Sequence, residues 1–262
     1  MNAPRQRITE NGGSRAGCLL LAALGAVLTL AACATQRQAY MQPVSVQTLE
    51  FYPYQVKGFE KTYPKRSIMV LPPVDARDFR DAAGVGHEPY NGNVAIGVVL
   101  DQTGKIDQRL YGSPLAPLVQ RAISQSAQEA GLVALSSTEP LAAALGARTT
   151  DYVLASRITR CWVNKHRGPD TPAGPAWFTA ADVSLDVAIY KPPFNVPFWQ
   201  GNSSAAYDDP PLMAGANPED DTEIYSQPGQ VLSVALTRAA AGIFKRDSLH
   251  LLMVEDAGAA KP

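Results

Sequence analysis

The chain has 262 residues and a formal net charge of −1 at pH 7, which removes the electrostatic basis for binding nucleic acid. The length suffices for one ordinary domain of about 190 residues once leader and tether are set aside. Three cysteines, Cys18, Cys33 and Cys161, are too few for a disulfide framework, so the domain has to be held by its core.

From Met1 to Gly17 the chain carries Arg5, Arg7 and Arg15 against Glu10, and from Cys18 to Ala32 it runs 15 residues without a charge. As a helix that run would span only about 22 Å, short of a bilayer core, and it reads as the h-region of a secretory signal. It ends in Leu30-Ala31-Ala32-Cys33, which resembles the lipobox of bacterial lipoproteins at all four positions. The resemblance implies cleavage between Ala32 and Cys33, with the Cys33 thiol carrying a diacylglyceryl group and the new amine acylated. Two or three acyl chains at about 0.8 kcal/mol per buried CH₂ make release from the membrane negligible. Ala34 in place of aspartate resembles cargo sorted onward to the outer membrane; without an outer membrane the anchor would sit on the outer face of the plasma membrane. The plainer alternatives are a cleavable signal in which Cys33 is incidental and a cytosolic protein with an apolar leader.

Residues 33–64 read as the lipidated terminus and a tether, although Val44 to Tyr54 has the composition for an edge strand. As a coil, about 30 residues would hold the domain about 30 Å from the bilayer. The globular part is expected over 65–255. Ser67 to Leu71 is a strand apolar on both faces, stopped by Pro72-Pro73. Asp75, Arg77 and Arg80 then lie on a charged loop, read chiefly as solvated and self-paired and held as a candidate partner contact. Val94 to Leu100 is a strand closed by a turn at Asp101 to Gly104.

Ser113 and Pro114 open a helix whose apolar positions are Leu115, Leu118, Val119, Ala122, Ile123 and Ala127, with Gly131 just past its end. A short strand, Leu132 to Leu135, and a short helix, Glu139 to Gly146, follow. Asp151 to Lys165 and Ala181 to Lys191 alternate and should pair as a hairpin with one wet face. The proline- and glycine-rich stretch between them, Arg167 to Ala176, reads as irregular. Phe198 to Tyr207 returns as a strand, 208–223 is an acidic loop, and a helix runs from about Gln227 to Phe244. Leu249 to Val254 is a last short helix, and 256–262 reads as a disordered tail.

Signatures of chemistry are few. Gly104-Lys105 lacks the rest of a phosphate loop, no Gly-x-Ser-x-Gly elbow occurs, and His87, His166 and His250 have no partners at zinc-ligand spacing. No cofactor or metal is expected. Cys161 reads as a packed residue.

The order of pieces resembles the YajG-type outer-membrane lipoproteins: an apolar strand into Asp75-Ala76-Arg77, the amphipathic helix, the Tyr152 to Ile158 and Ala181 to Ile189 strands, the return through Trp199-Gln200-Gly201, and the closing helix with Ser248 to Leu251. More distantly it resembles the auxiliary lipoproteins of ABC-type transport systems. The likeness implies a single α+β domain, a mostly antiparallel twisted sheet with two main helices on one face, and no catalytic residues. The expectation is a non-enzymatic protein anchored to membrane lipid through Cys33, on the periplasmic face of the outer membrane, binding an envelope protein as adaptor or accessory. A lipid or small-ligand carrier is a second reading. A periplasmic enzyme assembled around Asp75, Arg77, Arg80 and His87 is a third.

Overall fold

The computed structural model describes residues 59, 62–78, 89–172, 174–209 and 228–259. In chain order these form β1 (Ser67–Val70), β2 (Val74–Asp75), β3 (Val94–Leu100), β4 (Ile106–Gly112), α1 (Leu115–Glu129), β5 (Val133–Ser136), α2 (Leu141–Ala147), β6 (Tyr152–Thr171), β7 (Gly174–Tyr190), β8 (Pro197–Asp209), α3 (Pro228–Phe244) and α4 (Asp247–Ala259). Ala32, Cys33, Arg80, His87 and most of the acidic loop lie outside the described residues.

The eight strands make one mixed sheet built on the 20 residues of β6. One edge of β6 pairs antiparallel with β7 from Val153↔Tyr190 to Thr171↔Gly174, and β8 continues the sheet beyond β7. Three short parallel strands share the other edge end to end. β1 takes residues 152–154, β2 takes 157 and 158, and β3 takes 163–166. β5 extends the sheet beyond β1, and β4 beyond β3. The antiparallel ladders are the long ones, so the α+β, largely antiparallel expectation describes the molecule, with parallel pairing confined to the short strands.

Alternation divides the two faces. Val183, Leu185, Val187 and Ile189 of β7 turn inward with Leu154, Ile158 and Val163 of β6, and all are buried. α1 covers them with Leu115, Val119, Ala122, Ile123 and Ala127, and α3 with Val231, Leu232, Ala235, Leu236, Ala239 and Ile243. Each large aliphatic so buried stabilises the fold by about 1.5–3 kcal/mol. Among the described residues the opposite face is covered by α2 alone, which packs Ala144 and Leu145 on Leu71 and Val153, so β1 is apolar on both faces because both are covered at that point.

Three short strands cannot cover one long edge without a gap, and between β2 and β3 the residues 159–162 of β6 have no strand partner on that side. Arg77 fills it. Its guanidinium donates from Nη1 to the carbonyls of Ala95 and Cys161, 2.9 Å each, while Nε and Nη2 grip the two oxygens of Asp75 at 2.8 Å. The side chain is only 4% exposed. At the next contact β3 presses so closely on β6 that a Cβ on Gly97 would fall 1.9 Å from the Val163 carbonyl oxygen, a position only glycine can hold.

In its secondary structure the molecule departs from the sequence reading at the following places. β4 is a full strand over a segment that carried no assignment. Arg167 to Ala176, expected to be irregular, continues the β6–β7 ladder through Asp170↔Pro175; a register shift between Arg167 and Asp170 absorbs Gly168 and Pro169, beyond the last β3 pairing at His166. There, no ladder bond is asked of the proline nitrogen. α1 begins at Leu115 without a side-chain cap from Ser113, whereas its end follows expectation: Gly131 has φ +96° and the Leu132 N–H reaches back to Ala127 O at 3.0 Å. The tail read as disordered from Asp256 is helical to Ala259, because Asp256 accepts a hydrogen bond from Tyr152 Oη at 2.7 Å and pairs with Lys191.

Two carboxylates thus tie one end of the sheet together. Asp151 Oδ2 accepts from Ser67 N–H at 2.8 Å and Ser67 Oγ at 2.7 Å, and its own N–H donates back to Ser67 Oγ at 2.9 Å. Burial pulls the pKa of Asp151 upward, but the Ser67 hydrogen bonds and the Arg66 charge outweigh it and hold it below the usual value. Burial likewise pulls Asp256 upward, and the bonds from Lys191 and Tyr152 bring it below the usual value.

Two outcomes follow from these contacts. Arg77→Met leaves the Asp75 carboxylate and two carbonyls without their partner and should cost about 3–5 kcal/mol in urea unfolding at unchanged m, with Arg77→Lys recovering only part. Because both carboxyls have folded-state pKa values below their unfolded ones, their contribution is present above the unfolded pKa, near 4, and is lost as pH falls through the folded values. Unfolding midpoints should hold from pH 7 to 5 and drop below about pH 4, and a D151N/D256N protein should show lower stability at pH 7 with a shallower acid drop.

Candidate binding cleft

The outer face of the sheet beside α2 holds an open cleft of about 880 Å³. Its floor is laid in cross-strand rows. Ala155 lies opposite Ala188, which lies opposite Gln200; one row on, Arg157 opposes Asp186 and Asp186 opposes Asn202. Strand alternation turns these side chains away from the core, and the two alanines make the floor low. The walls are Leu71, Pro72 and Val74 on one side and the turn Thr138 to Leu141 leading into α2 on another, with Tyr190 at the end. Pro72-Pro73 separates β1 from β2, so the wall stands where the short strands change over.

The cleft is mixed in chemistry. Asp186 Oδ1 accepts from Asn202 Nδ2 at 2.9 Å, and the same nitrogen donates to Ser184 Oγ at 3.0 Å. Arg157 is exposed at the cleft and makes no ion pair or hydrogen bond among the described residues. An available planar guanidinium above an alanine floor, with Leu71, Pro72, Val74 and Leu141 beside it, suits a partner bearing both an apolar group and an acceptor. No hydroxyl among the lining residues is hydrogen-bonded to a histidine or carboxylate among the described residues.

No family model matches the chain, and no curated protein does. Solved structures give distant likenesses. A Xanthomonas campestris protein of the family DUF330 aligns over 83% of this chain and 99% of its own, at 10% identity and a TM-score of 0.45. PelC of Paraburkholderia phytofirmans, solved as a dodecamer, aligns over 71% and 96%, at 9% identity and a TM-score of 0.35. The lipoprotein GNA1162 of Neisseria meningitidis aligns over 55% and 84%, at 15% identity and a TM-score of 0.20. Likeness this distant transfers no function.

Of the residues singled out from sequence, Asp75 and Arg77 do not line this cleft. Arg77, a candidate for partner contact, is turned inward, because the gap beside β6 offers it two carbonyls and the Asp75 carboxylate; Asp75 keeps a side chain 24% exposed. Arg80 and His87 lie outside the described residues. Asp101 to Gly104 is a turn: Asp101 Oδ1 accepts from Thr103 N–H and Oγ1 and from Lys105 N–H at 2.7–2.9 Å. Cys161 is buried against the core, which pushes its thiol pKa up to about 12. His250 meets the Thr62 carbonyl at 3.2 Å, and His166 lies beside Phe178. What sequence reasoning missed is the cleft itself; its signal was Ala155 and Ala188 at outward positions of two strands, each two residues from a charged one, Arg157 and Asp186.

Ala188→Trp should fill the floor while shifting the thermal midpoint little, since half-buried Ala188 points out of the core into the open cleft; a change outside the core is worth about 0.5 kcal/mol or less. Circular dichroism melting checks the midpoint, and loss of crosslinking from a probe at Gln200 checks that the floor is filled.

Proposed function

We propose that this protein is a lipid-anchored, non-enzymatic component of the bacterial cell envelope, held by acylated Cys33 at the periplasmic face of the outer membrane, that binds another envelope component through the cleft beside α2. The observation that carries the reading is the cleft, where Arg157, unpaired among the described residues, stands beside an alanine floor, and where no lining hydroxyl is bonded to a described histidine or carboxylate. Supporting the location are the Leu30-Ala31-Ala32-Cys33 box at the end of an uncharged run and the resemblance of the element order to YajG-type and transport-auxiliary lipoproteins. Among the described residues no helix is long and apolar enough to cross a membrane, and the anchor supplies the attachment.

Replacing Cys33 with Ala should move the protein from the membrane fraction to the soluble fraction and remove the acyl mass from its N-terminus; unchanged retention with unchanged mass refutes the anchor. With Cys33 intact, a photo-crosslinker at Gln200 should recover one defined envelope partner, with yield falling at least tenfold in Arg157→Glu. Repeated recovery of none refutes the binding role.

A further inference from the structure

One end of the domain gathers exposed apolar side chains that the cleft does not use. It is the end where β6 starts, β7 finishes and β8 begins, since Val153 pairs with Tyr190 and Tyr190 with Pro197. The chain coming from the N-terminal side arrives at the same end: Tyr63 N–H donates to Ala130 O at 2.9 Å, Tyr63 Oη to Phe244 O at 2.9 Å, and His250 Nε2 meets Thr62 O at 3.2 Å. α4 lies across it, fixed by Trp199 Nε1 donating to Ser248 Oγ at 3.1 Å and by Tyr152 and Lys191 on Asp256.

α4 is apolar on two sides. Leu249 and Met253 are buried in the core, yet Leu251 is 59% and Val254 43% exposed, and these two, three residues apart, share the solvent side of the helix. In the turn between β7 and β8, Phe194 is 64% and Val196 69% exposed. An amphipathic helix resting on a core shows polar groups to water, so an apolar second side asks for a second apolar environment. The exposed charges of the segments that meet at this end are Lys65, Arg148, Lys245 and Arg246, the last bonded to the Asn202 carbonyl, against Glu129, Asp247 and Glu255; Asp151 and Asp256 are already paired with Arg66 and Lys191. Large apolar tips within a ring that is basic on balance are the pattern of a surface that sits in the headgroup region of an anionic leaflet.

We infer that this end is a second membrane contact, in which Phe194, Val196, Leu251 and Val254 enter the interface of the bilayer that holds Cys33. The inference rests on the anchored reading above. It favours the bilayer over a second copy of the chain because of where the chain arrives: 25 residues separate Cys33 from Phe59, so no conformation takes Phe59 more than about 90 Å from the anchor. The opposite end, at Arg167↔Trp177, is about 50 Å farther along β6. The anchor therefore raises the concentration of lipid at the apolar end first.

The test uses the full, acylated protein on vesicles of phosphatidylethanolamine and phosphatidylglycerol, with a nitroxide at Val196→Cys, Leu251→Cys or, as the distal control, Trp177→Cys. Acylated Cys33 and buried Cys161 leave the new thiol as the labelling site. Labels at 196 and 251 should show oxygen accessibility raised and nickel-chelate accessibility lowered several-fold relative to 177. Equal accessibility to the chelate at all three sites, with the protein still on the vesicles, overturns the inference and leaves the anchor standing. Shielding from both reagents with dipolar broadening between labels overturns it in favour of a second copy. Failure of the protein to stay on vesicles refutes the anchor and this contact with it.

Discussion

A single strand of 20 residues, with one edge to be shared among partners of two to four paired residues each, is the constraint around which the rest is arranged. Backbone carbonyls left unpaired in a buried ladder cost about 1–3 kcal/mol each, so an interrupted edge needs another donor. Arg77 is suited to it because one nitrogen of its fork can serve carbonyls on two strands while the others hold a carboxylate that cancels its charge. Asp75, two residues earlier and at the end of β2, supplies that carboxylate from the strand that stops short of the gap. The alternating charges after Pro73 are thus partly interior structure, in a place where charge patterning alone suggested surface.

The two faces of the sheet are unequal for a related reason. On the inner face α1 and α3 bring long apolar stripes, and the core closes fully. On the outer face the seven residues of α2 cover Leu71 and Val153, with Met69, Ala155 and Tyr190 packed at the margin, next to the break at Pro72-Pro73. Beyond that cover, Ala155, Arg157, Asp186, Ala188, Gln200 and Asn202 turn outward, and these small or polar side chains leave the surface there concave. The cleft is a by-product of where the short strands end and the short helix begins.

Much of this was legible beforehand. The alternation Val183, Leu185, Val187, Ile189 against Asp182, Ser184 and Asp186 fixed both the strand and its inner face, and the spacing of Val119, Ala122, Ile123 and Ala127 fixed the inward stripe of α1. What stayed hidden depended on partners distant in sequence. Prolines 169 and 175 argued for a loop, and only the absence of a third strand beyond His166 makes them harmless. Asp256 has no local reason to be ordered; Tyr152 and Lys191, 104 and 65 residues away, provide it. The cleft needed Ala155 and Ala188 to be set opposite one another, which is a matter of register and not of composition.

The length of β6 also sets a ruler. Its paired extension carries Trp177 and Phe178, 39% and 37% exposed, at the end away from α4. Separation between the two ends is graduated in strand repeats: inserting two residues in each of β6 and β7 would lengthen it by about 6.6 Å and keep every side chain on its own face. An insertion of one in each would exchange the faces, putting Phe178 where Trp177 now lies. Any partner that measures reach from this domain can therefore be retuned only in even steps.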